Sequence, residues 1–260
     1  MTEVLLLDVA DKIGTITLNR PATRNALNAE LIAALDAAVK RMAADDDVKV
    51  VVLTGAPAAG QSGGFCSGGD VKGARGSGME LGVPPDALDG DLARHDTHAA
   101  MLLHLMPKPS IAMVGGPAVG AGCSLAAACD LRFASDDAVF AASFSPNGLS
   151  GDYGGSFFWT RIGGTGLARR LYLMNEKLTA AQALELGMVH EVVPAAQLRP
   201  RVMEVAARLV RTPREVLARS KDNLNQAEDE VARRRFLFAN EAHNQIESGR
   251  ARAARAPRPP

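Results

Sequence analysis

Two glycine-rich turns hold the groups best suited to chemistry in this chain: FCSGGD at residues 65–70 and GGPAVGAGCSLA at residues 115–126. Each follows an apolar run that reads as a strand and leads into a segment that reads as a helix. Such turns leave backbone N–H groups free. Two of them facing one another can hold an oxyanion between two donors, the device that acyl-thioester chemistry needs. A nucleotide-phosphate site fits less well. Gly120-Ala121-Gly122 is followed by Cys123, Ser124 and Leu125, so the third glycine of a dinucleotide fingerprint is absent, and there is no P-loop lysine motif. One glycine cluster alone is ordinarily a tight connection; the pair carries the weight.

Turns of this kind need a sheet to hold them. Residues 4–9 and 13–18 flank Asp11-Lys12 and predict a hairpin. Asn28 caps a predicted helix whose apolar residues Leu31, Leu35, Ala38 and Met42 recur at helical spacing. Residues 48–54 (VKVVVLT) form a β-branched run typical of a strand buried on both faces, and 111–114 and 131–134 read as further strands. Helices alternate with them, which predicts an α/β core around a parallel sheet. The last third turns helical. Thr179 to Gln182 is a capping-box pattern opening a helix that ends near Gly187; Thr212-Pro213-Arg214-Glu215 is another, with proline at the first helical position. Helices are also predicted over 197–209 and 228–246, and 91–106 reads as helical. This divides the chain into a core over 1–195, a helical oligomerisation region over 196–248 and a loose basic tail over 249–260. Residues 73–90, rich in glycine and proline, read as a mobile loop beside the first turn.

Composition excludes several classes. With 29 basic and 29 acidic residues the formal net charge is zero, so nothing points to nucleic acid. The 260 residues, 47% of them apolar, suffice for a core without staples. Cys66, Cys123 and Cys129 cannot all pair and lack CxxC spacing, which predicts a reduced, cytoplasmic protein without structural zinc. The N-terminal apolar run lacks a preceding basic segment, so no secretory signal is expected, and no stretch approaches the roughly 20 apolar residues of a membrane span.

Five segments, in order and spread over most of the chain, resemble the enoyl-CoA hydratase/isomerase (crotonase) superfamily: PATRNALN at 21–28, FCSGGD, the run from Lys108 to Ala134, LSGDYGGS at 149–156 and LTAAQALELGMVHEVVP at 178–194. The resemblance implies a spiral of ββα units with a C-terminal helical region, trimers or pairs of trimers, and coenzyme A thioester substrates with no metal or redox cofactor. It places Ser67 at the first oxyanion-hole position and Ala121 at the second, where the family usually has glycine. A main-chain N–H serves from either residue, although alanine narrows the room beside the carbonyl. Around them, Gly68, Gly69, Asp70 and Ala26 fall in the substrate-binding segments, and Arg24 matches a residue that contacts coenzyme A phosphates in some relatives; a plain surface arginine is the equal alternative. Asp70 and Asp130 are expected to serve structure.

The chain departs from the family where hydration is concerned. The two glutamates that activate water in hydratases are replaced by Ser124 and Phe144. Serine is no base at neutral pH without a partner, and phenylalanine moves no proton. Asp152 remains, at a position where dienoyl-CoA isomerases, ring-epoxide isomerases and 4-chlorobenzoyl-CoA dehalogenases carry a catalytic aspartate. Among Phe144, Tyr153, Phe157 and Trp159 it is expected to lose solvent and gain pKa; a turn residue is the plain alternative. The expected function is a proton-shuttling isomerisation of an enoyl-CoA, with Phe144, Phe157 and the 73–90 loop lining the pocket. The alternatives are a hydrolase or dehalogenase with Asp152 as nucleophile, a thioester-binding relative without turnover and, less supported, a structural or RNA-associated protein. The dehalogenase histidine falls at Thr97, which counts against that chemistry. His95 and His98 have metal-ligand spacing but no third ligand, and are expected on one helix face near the acyl pocket.

Overall fold

The computed structural model describes residues 3–61, 63–70 and 98–228. The hairpin joins β1 (Leu5–Ala10) to β2 (Ile13–Leu18) in antiparallel register. Its turn residues Asp11 and Lys12 both take positive φ, 51° and 64°, the backbone that matches strand twist in a two-residue turn. Then come α1 (Ala29–Ala44), β3 (Val50–Gly55) and, after the first glycine turn, α2 (Ala99–Leu105). The Asn28 side chain accepts from Leu31 N–H at 3.0 Å, as the sequence predicts, and Leu31, Leu35, Ala38 and Met42 are buried.

The second half repeats one motif: a strand in a large sheet, a short strand in a small one, then a helix. β4 (Ser110–Val114), β5 (Ala118–Val119) and α3 (Ala121–Ala128) make one unit; β6 (Leu131–Ser135), β7 (Val139–Ala141) and α4 (Gly155–Leu173) make the next. β8 (Lys177–Thr179), α5 (Ala180–Glu185), β9 (Glu191–Val193), α6 (Ala195–Val210) and α7 (Arg214–Glu228) follow. The large sheet runs β1-β2-β3-β4-β6-β9, parallel from β2 onward; the small one runs β5-β7-β8. β3 is buried throughout because both faces are covered. Val51 and Leu53 join the main core with α1, while Val50 and Val52 pack with Leu198, Val202 and Ala206 of α6. The predicted division near residue 195 thus falls at the start of a helix that seals the sheet. No described helix is long and apolar enough to cross a membrane.

The Thr179 capping box forms with both of its hydrogen bonds. Proline at 213 does not begin α7; it precedes Arg214, and its carbonyl accepts from Val216 and Leu217. The helix predicted over 228–246, the 249–260 tail, the 73–90 loop, His95 and Thr97 lie outside the described residues, as does most of 91–98 ahead of α2.

One buried cation ties α7 to the core. Lys221 donates to the carbonyls of Leu103 and Lys108 and to the Asp130 carboxylate at 2.7, 3.1 and 2.7 Å. Asp130 also accepts from Ser110 N–H at 2.7 Å, the structural role expected of it. Replacing Lys221 by alanine takes the charged donor from three acceptors, of which Asp130 keeps its bonds from Ser110. Because Asp130 is partly open to water, the expected loss is about 2 kcal/mol, below the full cost of a broken buried pair. A thermal melt reads it, and an unchanged midpoint would remove Lys221 as an anchor.

Candidate active site

The two glycine turns lie against one another, joined by main-chain bonds. Cys66 N–H donates to Pro117 O at 3.1 Å and Val119 N–H to Cys66 O at 2.9 Å, extending the small sheet by a parallel bridge. Gly68, at φ +90°, approaches Val119 so closely that a Cβ there would sit 2.8 Å from its carbonyl oxygen. Only glycine permits both that backbone and that contact. Gly120, at φ +55°, faces it across the gap and is pinned by its N–H to Ala141 O at 2.9 Å.

A cavity opens where the turns meet. Ser67, Gly68 and Gly69 line it from one side, and Val119, Gly120 and Ala121 from the other. Leu27, Ile32 and the winding segment with Phe144, Asn147, Leu149, Asp152 and Tyr153 close it. The three residues expected to act, Ser67, Ala121 and Asp152, therefore share one cavity. Ala121 is the first residue of α3, so the helix offers its N–H no acceptor and adds the positive end of its dipole.

Ser67 differs from expectation. Its N–H is not free: it donates to Arg24 O at 3.0 Å. Arg24 ends a short 3-10 helix (Pro21–Thr23) in the left-handed region, which turns its carbonyl towards the first glycine turn. The Ser67 hydroxyl also looks back to that loop, donating to Thr23 O at 3.1 Å. Arg24 itself is exposed. Ala26 is buried behind the lining, its carbonyl accepting from Arg20, whose guanidinium also pairs with Asp70 at 3.0 Å. Asp70 thus orders its turn, as expected. The support residue that sequence reasoning missed is Asn25. Buried, at φ +57°, it donates to Ala56 O and Phe65 O, both at 2.9 Å, and accepts from Arg20 N–H. An asparagine just after Arg24 in a loop gave the signal, because asparagine tolerates left-handed backbone.

Asp152 lies in the turn before α4, between Gly151 and Tyr153. Its carboxylate accepts the Tyr153 N–H at 2.7 Å. Burial nevertheless dominates, pushing its pKa up from 3.8 to about 7. It is the only carboxylate among the described residues that line the cavity. Tyr153 is buried at φ +56°, its ring edge-on to His98 with centroids 3.8 Å apart.

Three expected pocket residues lie elsewhere. Ser124 is buried between α3 and α4, where a Cβ on Gly155 would strike its hydroxyl and that of Tyr172. It sits one helical turn beyond Ala121, against Gly155 of α4, and is not among the described residues that line the cavity. Phe157 packs against His104 and Phe158, and Trp159 is in the core against Cys123. Phe144 does line the cavity, stacked on Tyr172 with centroids 5.6 Å apart. The three cysteines are free, buried thiols with pKa pushed up to about 12 by burial, so they are poor nucleophiles. No cluster of three metal-binding side chains occurs among the described residues.

The chain is similar to known proteins over most of its length. A family model described as enoyl-CoA hydratase/isomerase matches residues 8–252. The chain is 34% identical to 1,2-epoxyphenylacetyl-CoA isomerase of Escherichia coli K12, over 88% of this chain and 84% of that protein. It is 30% identical to short-chain-enoyl-CoA hydratase of Clostridium acetobutylicum, over 85% and 81%. A crystal structure of an enoyl-CoA hydratase from Mycobacterium avium subsp. paratuberculosis superposes with a TM-score of 0.81 at 30% identity, covering 99% of this chain and 96% of that one.

Proposed function

The chain belongs to the enoyl-CoA hydratase/isomerase family, with its crotonase-type fold, and from that premise we propose that it shifts the double bond of an enoyl-CoA by moving one proton through Asp152. The observation that carries this reading is the partly buried Asp152 carboxyl, the only one among the described residues that line the cavity, with its pKa raised to about 7. Hydration by two carboxylates is disfavoured, since the family's two glutamate positions hold Ser124 and Phe144.

The thioester oxygen sits at the start of α3, accepting from Ala121 N–H, while the Ser67 N–H stays with Arg24 O. Ionised Asp152 takes a proton from the carbon next to the double bond, and the electron pair moves into the thioester as an enolate. The same carboxyl then protonates the far carbon of the dienolate. A carboxyl with pKa near 7 suits both halves, because it holds the proton between them without trapping it. That same raised pKa favours proton transfer over nucleophilic attack, which needs a persistently ionised carboxylate.

Mixing a 3-enoyl-CoA with the protein is expected to yield the conjugated 2-enoyl-CoA, followed by ultraviolet absorbance. A 3-hydroxyacyl-CoA as main product, or free coenzyme A, would overturn the proposal. Since proton abstraction requires the ionised form, kcat/KM should fall tenfold per pH unit below about 7 and level off above it. A flat profile through that range would take Asp152 out of the first step.

We also propose a trimeric assembly within the cytoplasm. Leu173 and Met174, 77% and 70% exposed at the end of α4, are apolar surface that a neighbouring copy would cover. Light scattering at micromolar concentration decides the mass.

A further inference from the structure

We propose that the Tyr153 phenol is a specificity donor that recognises an oxygen atom carried along the acyl chain. The preferred thioester then bears a hydroxyl, carbonyl or ether oxygen beyond its reacting carbons. The inference rests on the thioester reading above.

Three observations meet at this residue. Tyr153 is 4% exposed and lines the same cavity as Ala121 and Asp152. Its hydroxyl is buried and has no hydrogen-bond partner among the described residues. Buried hydroxyls ordinarily have one, so an orphan beside a ligand cavity calls for an explanation. The backbone adds a second oddity. A bulky aromatic residue is held at φ +56° between Gly151 and Gly154, both also at positive φ. Glycine or asparagine would occupy that backbone without strain, and strained positions of this kind gather at ligand sites.

The third observation concerns the ring. His98, at the start of α2, stands edge-on to it at 3.8 Å and fixes its plane. A hydroxyl on a fixed ring loses little freedom on bonding a ligand. The cavity walls include apolar Leu27, Ile32, Phe144 and Leu149, while burial, followed by the Asp152 and Asp36 carboxyls as the charged groups that act on the phenol, raises its pKa and keeps it a neutral donor. A hydrocarbon tail satisfies those walls and leaves the phenol orphaned. A tail with one acceptor oxygen satisfies both. Asp152 cannot take this part, because its carboxyl is committed to the reacting carbons.

The test uses saturated acyl-CoA thioesters, which cannot isomerise, so it does not depend on turnover. Calorimetry would compare a straight chain with a same-length series bearing one hydroxyl at successive carbons. The wild-type protein should bind one member of the series about tenfold tighter than the plain chain, the size of one well-formed hydrogen bond. Tyr153→Phe, which keeps the ring and its contact with His98, should erase that preference. It should leave plain-chain affinity and the melting midpoint unchanged. Equal wild-type affinity across the whole series, or a preference that survives in Tyr153→Phe, would overturn the inference. Failure of the 3-enoyl to 2-enoyl conversion would instead count against the isomerase proposal and leave these binding results standing.

Discussion

Asp152→Asn is expected to lower kcat about a thousandfold while leaving KM for an enoyl-CoA nearly unchanged, the signature of a lost general base. Asparagine preserves the local structure, since its carbonyl oxygen can still accept the Tyr153 N–H that Asp152 binds at 2.7 Å. The variant should also reveal what the carboxyl costs the fold. Burial raises its pKa from 3.8 to about 7, so the folded state holds the proton more tightly than the unfolded chain does. The carboxyl's contribution is therefore fully present below about pH 4 and is lost as the pH rises to about 7. Above that, a desolvated negative charge weighs against folding. The melting midpoint of Asp152→Asn should exceed that of the wild type above pH 7 and converge with it in acid. Unchanged turnover would end the proton-shuttle mechanism; identical midpoints at high pH would show that the carboxyl is solvated after all.

Ala121→Pro is expected to cost about 10² to 10³ in kcat, the usual consequence of deleting one oxyanion donor. Few positions allow a backbone N–H to be removed so cleanly. Ala121 is the first residue of α3, where proline fits the helical φ and no helical hydrogen bond is lost. The preceding Gly120, at φ 55° and ψ −127°, is already outside the helical region that proline forbids to its predecessor. Ala121→Gly, which keeps the N–H, is the control and should retain activity within a few-fold. Circular dichroism and a melt establish that α3 survives in the proline variant. Full activity in a folded Ala121→Pro protein would mean that the thioester oxygen rests elsewhere.

What the sequence disclosed followed the physics of each pattern. Long periodic or β-branched segments announced themselves: α1 with its Asn28 cap, β3, and the capping box at Thr179 all stand where the patterns put them. The small sheet was hidden because β5, β7 and β8 have only two or three residues each, too short to show alternation. α4 was hidden by its glycines, one of which, Gly164, breaks it at φ +76°. At the site, glycine spacing pointed to the two turns and the family motif to Asp152. Motif position alone could not say which way a side chain faces. Ser124, Phe157 and Trp159 were misplaced for that reason, since each packs against a neighbouring helix and is not among the described residues that line the cavity. Nor could it reveal that a carbonyl brought round by Arg24 would claim the Ser67 amide.

The contact between the glycine turns divides the protein's future changes unevenly. Where Gly68 and Gly120 meet, the gap proposed to receive the thioester is bounded by main chain, so ordinary side-chain variation has almost nothing there to modify. Phe144, Asp152 and Tyr153, by contrast, all belong to one run of about a dozen residues that folds as successive turns. Descendants of this chain can therefore acquire new reactions and new acyl preferences by rewriting that single run, while inheriting their hold on the thioester intact. A graft of residues 143–154 between relatives is the laboratory form of the same event.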